Sequence, residues 1–512
     1  MGTSLFATVS VKVVGSRKVH ALAWSQDGLH SAGPLLAVAL EGSEILILKE
    51  DGEPLEKVQI SRRGRGCECL HLAWSPSASQ GELLALGWGD GSVQVWSLRD
   101  RQAREEASEG AEAHAGESIT VLKWSPEGEK LISADARPSG SREKDVSMLA
   151  VWTVVRSRPS VVCTYRNPAV GGYTHAVFRT AGRATKPTTA TSAFAAAECA
   201  PFYCGGERGT ICYGNDKGSC VDAICGLDAA IAAMLYDEGS DTLLVITRLH
   251  ALAHYRLTDP HAPQPIRKVM LSMGREGLHG ALWAGAGHLA IVSADQLVRV
   301  HVAGADAHYM LRPPIDPPEL SHHGQHHLLA LAHESCRGTL VAGTREGFAF
   351  MWRASPTLAP EGAETSEGSW EALPPVKLPS PPLGFAWDPT GRCLATRGAR
   401  GLWLLPETVL HRQMCGEWAL VQLSAQALQL EHIDGTLVPI EAEMRVCGTA
   451  LQEGTLALWS DSLVKVYRFE SQSEYDPNPE TDRHPTRDRA SDGRPTNMWR
   501  CRPPSLLSLI HI

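Results

Sequence analysis

The stretch ITVLKWSPEGEKLISAD, from Ile119 to Asp135, decides the fold because the chain repeats its pattern upstream. Rougher copies surround two other tryptophans, so that Trp24, Trp74 and Trp124 follow one another at intervals of 50 residues. Recurrence with a period of this size is typical of repeat proteins. The repeat therefore has to be interpreted before any single motif.

Each copy predicts a β-hairpin. Apolar residues occur on both faces of Ile119–Trp124, which is the pattern of a strand buried on both sides. The run Ser125-Pro-Glu-Gly128 then favours a tight turn, because proline fixes φ and glycine accepts the left-handed region. A second apolar strand starts at Leu131, and the other two copies continue in the same way.

A glycine pattern predicts a third strand in the unit. The pattern G-x3-G-x4-W occurs at Gly87, Gly91 and Trp96 and again at Gly343, Gly347 and Trp352. We interpret both glycines of the pattern as permitting a tight reversal, after which a strand ends on an aromatic side chain. A unit of roughly 40 to 50 residues with four short strands is typical of a WD-type propeller blade.

Weaker copies of the unit fill the chain as far as Trp352. Their starts, together with the strong ones, are Trp24, Trp74, Trp124, Val177, Met234, Trp283 and Ala332. The count predicts a seven-bladed propeller over residues 1–352, and a closed ring removes the exposed edges of an open array.

The amino-acid composition of the rest of the chain changes several times. Residues 353–382 are rich in proline, serine and glutamate and are predicted to be a linker. The run Trp387-Asp-Pro-Thr-Gly391 repeats the hairpin signature, so residues 383–469 are expected to begin a second, incomplete propeller. Residues 470–512 have few apolar side chains and are expected to be a disordered tail, in a chain that is either a fragment or carries an aberrant end. The predicted fold class is thus all-β.

Composition excludes several classes of protein. The formal net charge of −9 and the pI of about 6.2 give no general reason to bind nucleic acid or an anionic membrane. No run of about 18 apolar residues predicts a transmembrane segment. Thirteen scattered cysteines are an odd number and favour reduced thiols.

No motif predicts a catalytic, cofactor or metal site. Cys204, Cys212 and Cys220 are eight apart and do not have zinc-knuckle spacing, so buried thiols explain them better. The histidines between His322 and His327 have no cysteine or carboxylate near them in sequence, and we predict no metal there. The acidic insert Asp100–Glu117 is expected to be a solvated loop between blades.

A family resemblance rests on longer runs. EAHAGESITVLKWSPEGEKLISAD, GTREGFAFMWR and GTALQEGTLALWSDSLVKVYRFE follow one another as in the family of intraflagellar transport protein 140, a WD-repeat subunit of intraflagellar transport complex A. The resemblance implies two propellers followed by a helical solenoid. It also implies a non-enzymatic scaffold role in retrograde transport, cilium assembly and ciliary membrane-protein trafficking.

Partners and location follow from the same resemblance. The implied partners are the other complex A subunits and ciliary membrane cargo or its adaptors. The implied location is the cytoplasmic side of the cilium or flagellum and the basal body. A vesicle-coat or ubiquitin-ligase substrate-receptor propeller is the alternative. A propeller enzyme is a third hypothesis. The apolar or small residues at strand starts such as Leu72-Ala73 argue against it, because they offer no reactive group.

Overall fold

In the residues that it describes, the computed structural model consists of β-strands joined by turns and loops. It describes residues 3–26, 33–61, 67–76, 83–99, 102–105, 114, 116–137, 146–155, 158–180, 201–215, 222–271, 277–285, 287–293, 297–302, 307–313, 327–355, 369–424, 426–444, 446–452, 454–460, 463–470, 500–502 and 510–511. The chain divides into two compact units, residues 8–406 and a second unit of residues 1–7 and 407–512.

Among the described residues, eight antiparallel sheets belong to the unit of residues 8–406, and we call them blades 1 to 8 in chain order. The innermost strands are Val19–Trp24, Cys69–Trp74, Ile119–Trp124, Tyr173–Phe178, Ile231–Asp237, Leu278–Trp283, Leu328–Glu334 and Gly384–Trp387. The second strands are Leu36–Leu40, Leu83–Trp88, Lys130–Asp135, Phe202–Gly206, Thr242–Thr247, His288–Ser293, Thr339–Thr344 and Cys393–Arg397.

The outer half of each blade follows the same order. The third strands are Glu44–Leu48, Val93–Ser97, Met148–Val155, Thr210–Gly214, Ala251–Arg256, Val298–Val302, Phe348–Ala354 and Leu402–Leu410. The outermost strands of blades 1 to 7 are Pro54–Ser61, Gln102–Glu105, Arg158–Arg166, Asp222–Gly226, Gln264–Met270, His308–Leu311 and Trp370–Ala372, the last accompanied by Val376–Lys377.

The ring closes between blade 8 and blade 1. Each innermost strand lies beside the next one along the chain, and Gly384–Trp387 lies beside both Leu328–Glu334 and Val19–Trp24. The N-terminal strand Val9–Ser10 pairs with Trp403 and Leu404, so that the start of the chain completes the last blade. Closure of this kind leaves no blade with an uncovered face in the ring.

An apolar core fills the space between blades 8 and 1 as it does between the other blades. Leu36 and Leu48 of blade 1 pack with Cys393 and Leu404 of blade 8, and all four are buried. Burying one leucine side chain stabilises a fold by about 1.5 to 3 kcal/mol, so these contacts stabilise the closed ring.

These observations correct the predicted domain boundaries. The ring contains eight blades rather than seven, because the sheet that starts at Gly384 closes the first ring instead of beginning a second one. Part of the expected linker 353–382 also belongs to the ring, since Trp370–Ala372 and Val376–Lys377 pair with Phe348–Ala354. A first propeller ending at residue 352 would lack its last blade.

The second unit contains its own short strands. Thr3–Phe6 pairs with residues 407–410. One sheet consists of Arg412–Cys415, Trp418–Gln422, Ala427–His432 and Leu437–Glu441, and another of Gly448–Gln452, Thr455–Trp459, Leu463–Glu470, Arg500–Arg502 and Ile510–His511. The last two strands lie in the stretch 470–512, so the expectation of a disordered tail is wrong for them. Residues 471–499 and 503–509 lie outside the described residues.

Candidate functional site

The predicted tryptophans lie at equivalent places in the ring. Trp24, Trp74, Trp124 and Trp387 each end the innermost strand of a blade. Trp283 occupies this place in blade 6, as predicted. In blades 4, 5 and 7 the place is taken by Phe178, Tyr236 and His333, one or two residues after the predicted starts Val177, Met234 and Ala332.

Three of these tryptophans connect one blade to the one before it. The indole Nε1 of Trp74 donates to the carbonyl oxygen of Ala23 at 3.0 Å, and that of Trp124 donates to Ala73 at 2.8 Å. Trp24 donates in the same way to Ala386 at 3.0 Å, across the joint that closes the ring. In all three cases the acceptor directly precedes the equivalent aromatic residue of the preceding blade, which fixes the register between blades.

The two glycines of the G-x3-G-x4-W pattern have different structural roles. Gly91 and Gly347 have φ of +85° and +80°, the left-handed region that glycine occupies without strain. Gly87 and Gly343 have no such backbone, but a Cβ at Gly87 would lie 3.1 Å from Ile119 Cγ2 of the next blade. A Cβ at Gly343 would lie 2.7 Å from Phe385 Cζ. The first glycine therefore permits close packing of blades rather than a reversal.

The aromatic residues that end the pattern are buried. Trp96 is 2% exposed and Trp352 is 3% exposed. The Trp96 ring meets Trp74 edge to face, with centroids 6.3 Å apart. Trp352 Nε1 donates to the carbonyl oxygen of Arg312 at 3.2 Å. Both side chains thus belong to the joints between blades.

Blade 3 contains a buried polar network that the sequence analysis did not predict. His114 Nδ1 lies 2.9 Å from Asp135 Oδ2, and His114 Nε2 lies 2.7 Å from Ser133 Oγ. Trp152 Nε1 donates to Ser133 Oγ at 2.8 Å, and the backbone N–H of Met148 donates to Asp135 Oδ1 at 2.8 Å. With the ring proton on Nδ1, His114 donates to Asp135 and accepts from Ser133, so every group in the network has a partner.

The same network corrects the prediction for the acidic insert Asp100–Glu117. His114 is 1% exposed, and residues Gln102–Glu105 form the outermost strand of blade 2, so these parts are not a solvated loop. A signal existed in the sequence: a histidine shortly before the innermost strand, an aspartate ending the second and a tryptophan in the third. These residues are far apart along the chain, and the combination occurs in only one copy of the 50-residue repeat.

Polar side chains near the starts of the innermost strands link consecutive blades. His20 Nε2 lies 3.2 Å from Glu68 Oε1 of blade 2, and Thr120 Oγ1 donates to the carbonyl oxygen of Tyr173 at 2.6 Å. The backbone groups of Ile119 and Ala232 lie close enough to His71 and His175 of the preceding blades to raise the pKa of each ring, against the larger effect of burial. The expectation that apolar or small residues fill these strand starts holds for only some blades.

Burial lowers the pKa of two histidines near the starts of the innermost strands. Burial lowers the pKa of His71, and burial together with the nearby charges of Lys123 and Arg248 lowers the pKa of His175 to about 4. Lys123 itself contacts solvent, but protein atoms surround it closely and lower its pKa. These rings lie against backbone groups of the blades that follow them and so belong to the joints between blades.

The cysteine and histidine clusters do not form a metal site in the part of the chain that is described. Cys204 and Cys212 face each other on adjacent strands and are fully buried. The neighbouring Cys212 and burial raise the pKa of Cys204 well above its usual value, so this thiol is a poor metal ligand. Cys220 and the histidines 322, 323 and 326 lie outside the described residues.

A membrane span is likewise not seen where the structure can be described, since no helix there has the length and apolarity to cross a bilayer.

The fold resembles solved propeller structures of low sequence identity. The crystal structure of Sqt1 from Saccharomyces cerevisiae superposes with a TM-score of 0.55 at 11% identity, covering 80% of this chain and 99% of the other. Sqt1 from Chaetomium thermophilum gives a TM-score of 0.54 at 15% identity with the same coverage. At such identities the likeness shows the fold alone.

The ring and its tryptophan-linked joints define a β-propeller scaffold of the WD type. The family model described as "IFT140 first beta-propeller" matches residues 15–157 and 151–408, more than half of the chain. The chain therefore belongs to the family of IFT140 first β-propellers, which confirms the resemblance found in its sequence. The match ends near the last residue of the ring, as the eight-blade boundary requires.

Proposed function

We propose that this protein is a non-enzymatic subunit of intraflagellar transport complex A. In this role it acts in retrograde transport, cilium assembly and the trafficking of ciliary membrane proteins. The observation that carries the proposal is the family match over residues 15–408, which covers the whole ring. A match of this extent includes the loops as well as the repeat, and loops are where binding specificity resides.

Physical features of the ring support a binding role over a catalytic one. Innermost strands are where a propeller enzyme would hold reactive groups, close to the axis. Here Thr120 donates to the Tyr173 carbonyl oxygen of the next blade, and His71 and His175 lie against backbone groups of the next blade, as parts of a scaffold would. A rigid ring with loops on both faces suits partners chosen by shape and by the chemistry of the rim.

The proposed partners are the other complex A subunits and ciliary membrane cargo or its adaptors, and not nucleic acid. The proposed location is the cilium or flagellum and the basal body, on the cytoplasmic side. The net charge of −9 fits a protein that associates with proteins rather than with polyanions.

The test is affinity purification and imaging of the tagged protein in ciliated cells. We expect complex A subunits in the purified material and concentration of the tag in cilia or at their base. Trp124→Ala, which weakens a blade joint, should reduce recovery of the subunits, whereas Trp459→Ala, at a more exposed tryptophan, should not. A wild-type protein spread through the cytosol, with no complex A subunit in the pull-down, would refute the proposal.

A further inference from the structure

One face of the ring carries a cluster of positive charge at the joint between blades 8 and 1. Neighbouring strands of a blade run in opposite directions, so the starts of innermost strands and the ends of second strands lie at the same face. Lys18 directly precedes the innermost strand of blade 1, and Arg397 ends the second strand of blade 8. Arg400 lies in the turn that follows, and we call these three residues the mouth cluster.

Two hydrogen bonds place the three residues in the same region of the ring. Arg397 Nη1 donates to the carbonyl oxygen of Val19 at 3.2 Å, which places its guanidinium beside Lys18. The backbone N–H of Gly401 donates to the carbonyl oxygen of Arg17 at 2.9 Å, which places the turn with Arg400 against the same segment. The mouth cluster therefore joins residues almost 380 positions apart in sequence.

Two carboxylates in this region, those of Glu44 and Glu68, are paired with residues outside the mouth cluster. Glu44 pairs with Arg17 Nη1 at 2.5 Å, and Glu68 pairs with His20 at 3.2 Å. Glu41 adjoins Lys18 through its backbone, its N–H donating to the Lys18 carbonyl oxygen at 3.0 Å. Within the described residues, no carboxylate forms an ion pair with Lys18, Arg397 or Arg400.

Among the residues of the mouth cluster, Arg397 gives the strongest argument for a ligand. Its side chain is half-buried near the axis of the ring, and this burial lowers its pKa. A guanidinium has five donors, and removing a charged group from water is unfavourable unless a counter-charge or hydrogen bonds compensate. Among the described residues, its side chain donates to the Val19 carbonyl oxygen through Nη1, and the other donors of the fork have no acceptor there.

We propose that the mouth cluster binds carboxylates of an acidic peptide segment from a partner protein. Two arginines provide the planar fork that matches a carboxylate, and Lys18 adds a third charge at the rim. An extended chain can reach Arg397 near the axis, whereas a flat bilayer would meet only the exposed Lys18 and Arg400. The inference does not depend on the proposed transport role.

The test measures binding of a fluorescein-labelled polyglutamate peptide to the full chain by anisotropy, at low and at high salt. We expect Lys18→Gln/Arg397→Gln/Arg400→Gln to raise the Kd by at least about tenfold, since each lost pair removes a charge-assisted hydrogen bond. The control Arg166→Gln/Arg256→Gln/Arg312→Gln removes the same charge from exposed arginines elsewhere on the ring and should leave the Kd within about twofold.

Further variants keep the test decisive. If Arg397→Gln perturbs folding by circular dichroism, Lys18→Gln/Arg400→Gln alters only exposed side chains and should still weaken binding. Arg397→Lys keeps the charge and loses the fork, so an intermediate Kd is expected. Equal weakening by the control triple variant, absence of any peptide binding, or binding confined to phosphatidylserine vesicles would each overturn the proposal.

Discussion

Replacing Trp124 by alanine is expected to lower the free energy of unfolding by about 3 to 5 kcal/mol. The side chain is 7% exposed and packs with Ala85, Leu131 and Trp152 in the core between blades 2 and 3. The substitution leaves a cavity and also deprives the Ala73 carbonyl oxygen of the indole N–H at 2.8 Å. Chemical denaturation, followed by tryptophan fluorescence and by circular dichroism, measures the change.

Two matched variants identify the cause of this loss. Trp459→Ala removes a tryptophan that is 37% exposed and should cost less than about 1 kcal/mol. Trp124→Phe keeps most of the apolar ring and should cost about 1 kcal/mol from the lost hydrogen bond, together with a smaller cavity term. If Trp124→Ala and Trp459→Ala shifted the unfolding midpoint equally, Trp124 would not lie in a blade joint.

Asp135→Ala is the second substitution with a large expected effect, a destabilisation of about 3 to 5 kcal/mol. The carboxylate is fully buried and accepts hydrogen bonds from His114 and from the backbone N–H of Met148. Its removal leaves two buried donors without an acceptor, and each such group costs roughly 1 to 3 kcal/mol. The thermal midpoint by calorimetry reports the change.

The control for this prediction is Asp228→Ala, which removes an aspartate that is 89% exposed and pairs with Lys268 at 3.3 Å. Exposed pairs of this kind contribute about 0 to 1 kcal/mol. Adding His114→Phe to Asp135→Ala should destabilise by less than the sum of the single effects, because the two residues share one network. Strict additivity would mean that the network does not connect them.

The sequence predicted the parts of the fold that recur locally. Trp24, Trp74 and Trp124 repeat a whole hairpin at fixed spacing, so one pattern fixes strand, turn and aromatic position at once. The glycine pattern located third strands correctly, although only its second glycine serves a turn. Spacing alone cannot separate a glycine that needs positive φ, such as Gly91, from one that needs close approach, such as Gly343.

The blade count could not be predicted because closure depends on contacts between the two ends of the ring. Blade 8 follows a proline-rich stretch, and its outermost strand is supplied by Val9–Ser10, two residues with no sequence signature. The mouth cluster is hidden for the same reason, since Lys18 and Arg397 meet only when the ring closes. The His114 network was missed because it occurs once and has no repeat to reveal it.

Hydrogen exchange of the full chain, followed by mass spectrometry, tests most directly whether residues 8–406 form one closed ring. The decisive peptide contains Val9, Ser10 and Val11. Val9 pairs with Leu404 and Ser10 pairs with Trp403. The Val11 N–H donates to the Leu402 carbonyl oxygen, and together these contacts complete blade 8. A closed ring predicts that this peptide exchanges at least about tenfold more slowly than an unstructured peptide, although less slowly than the buried strand Leu36–Leu40. Exchange of the Val9–Val11 amides at the rate of an unstructured peptide, with Leu36–Leu40 still protected, would contradict closure by the N-terminal strand.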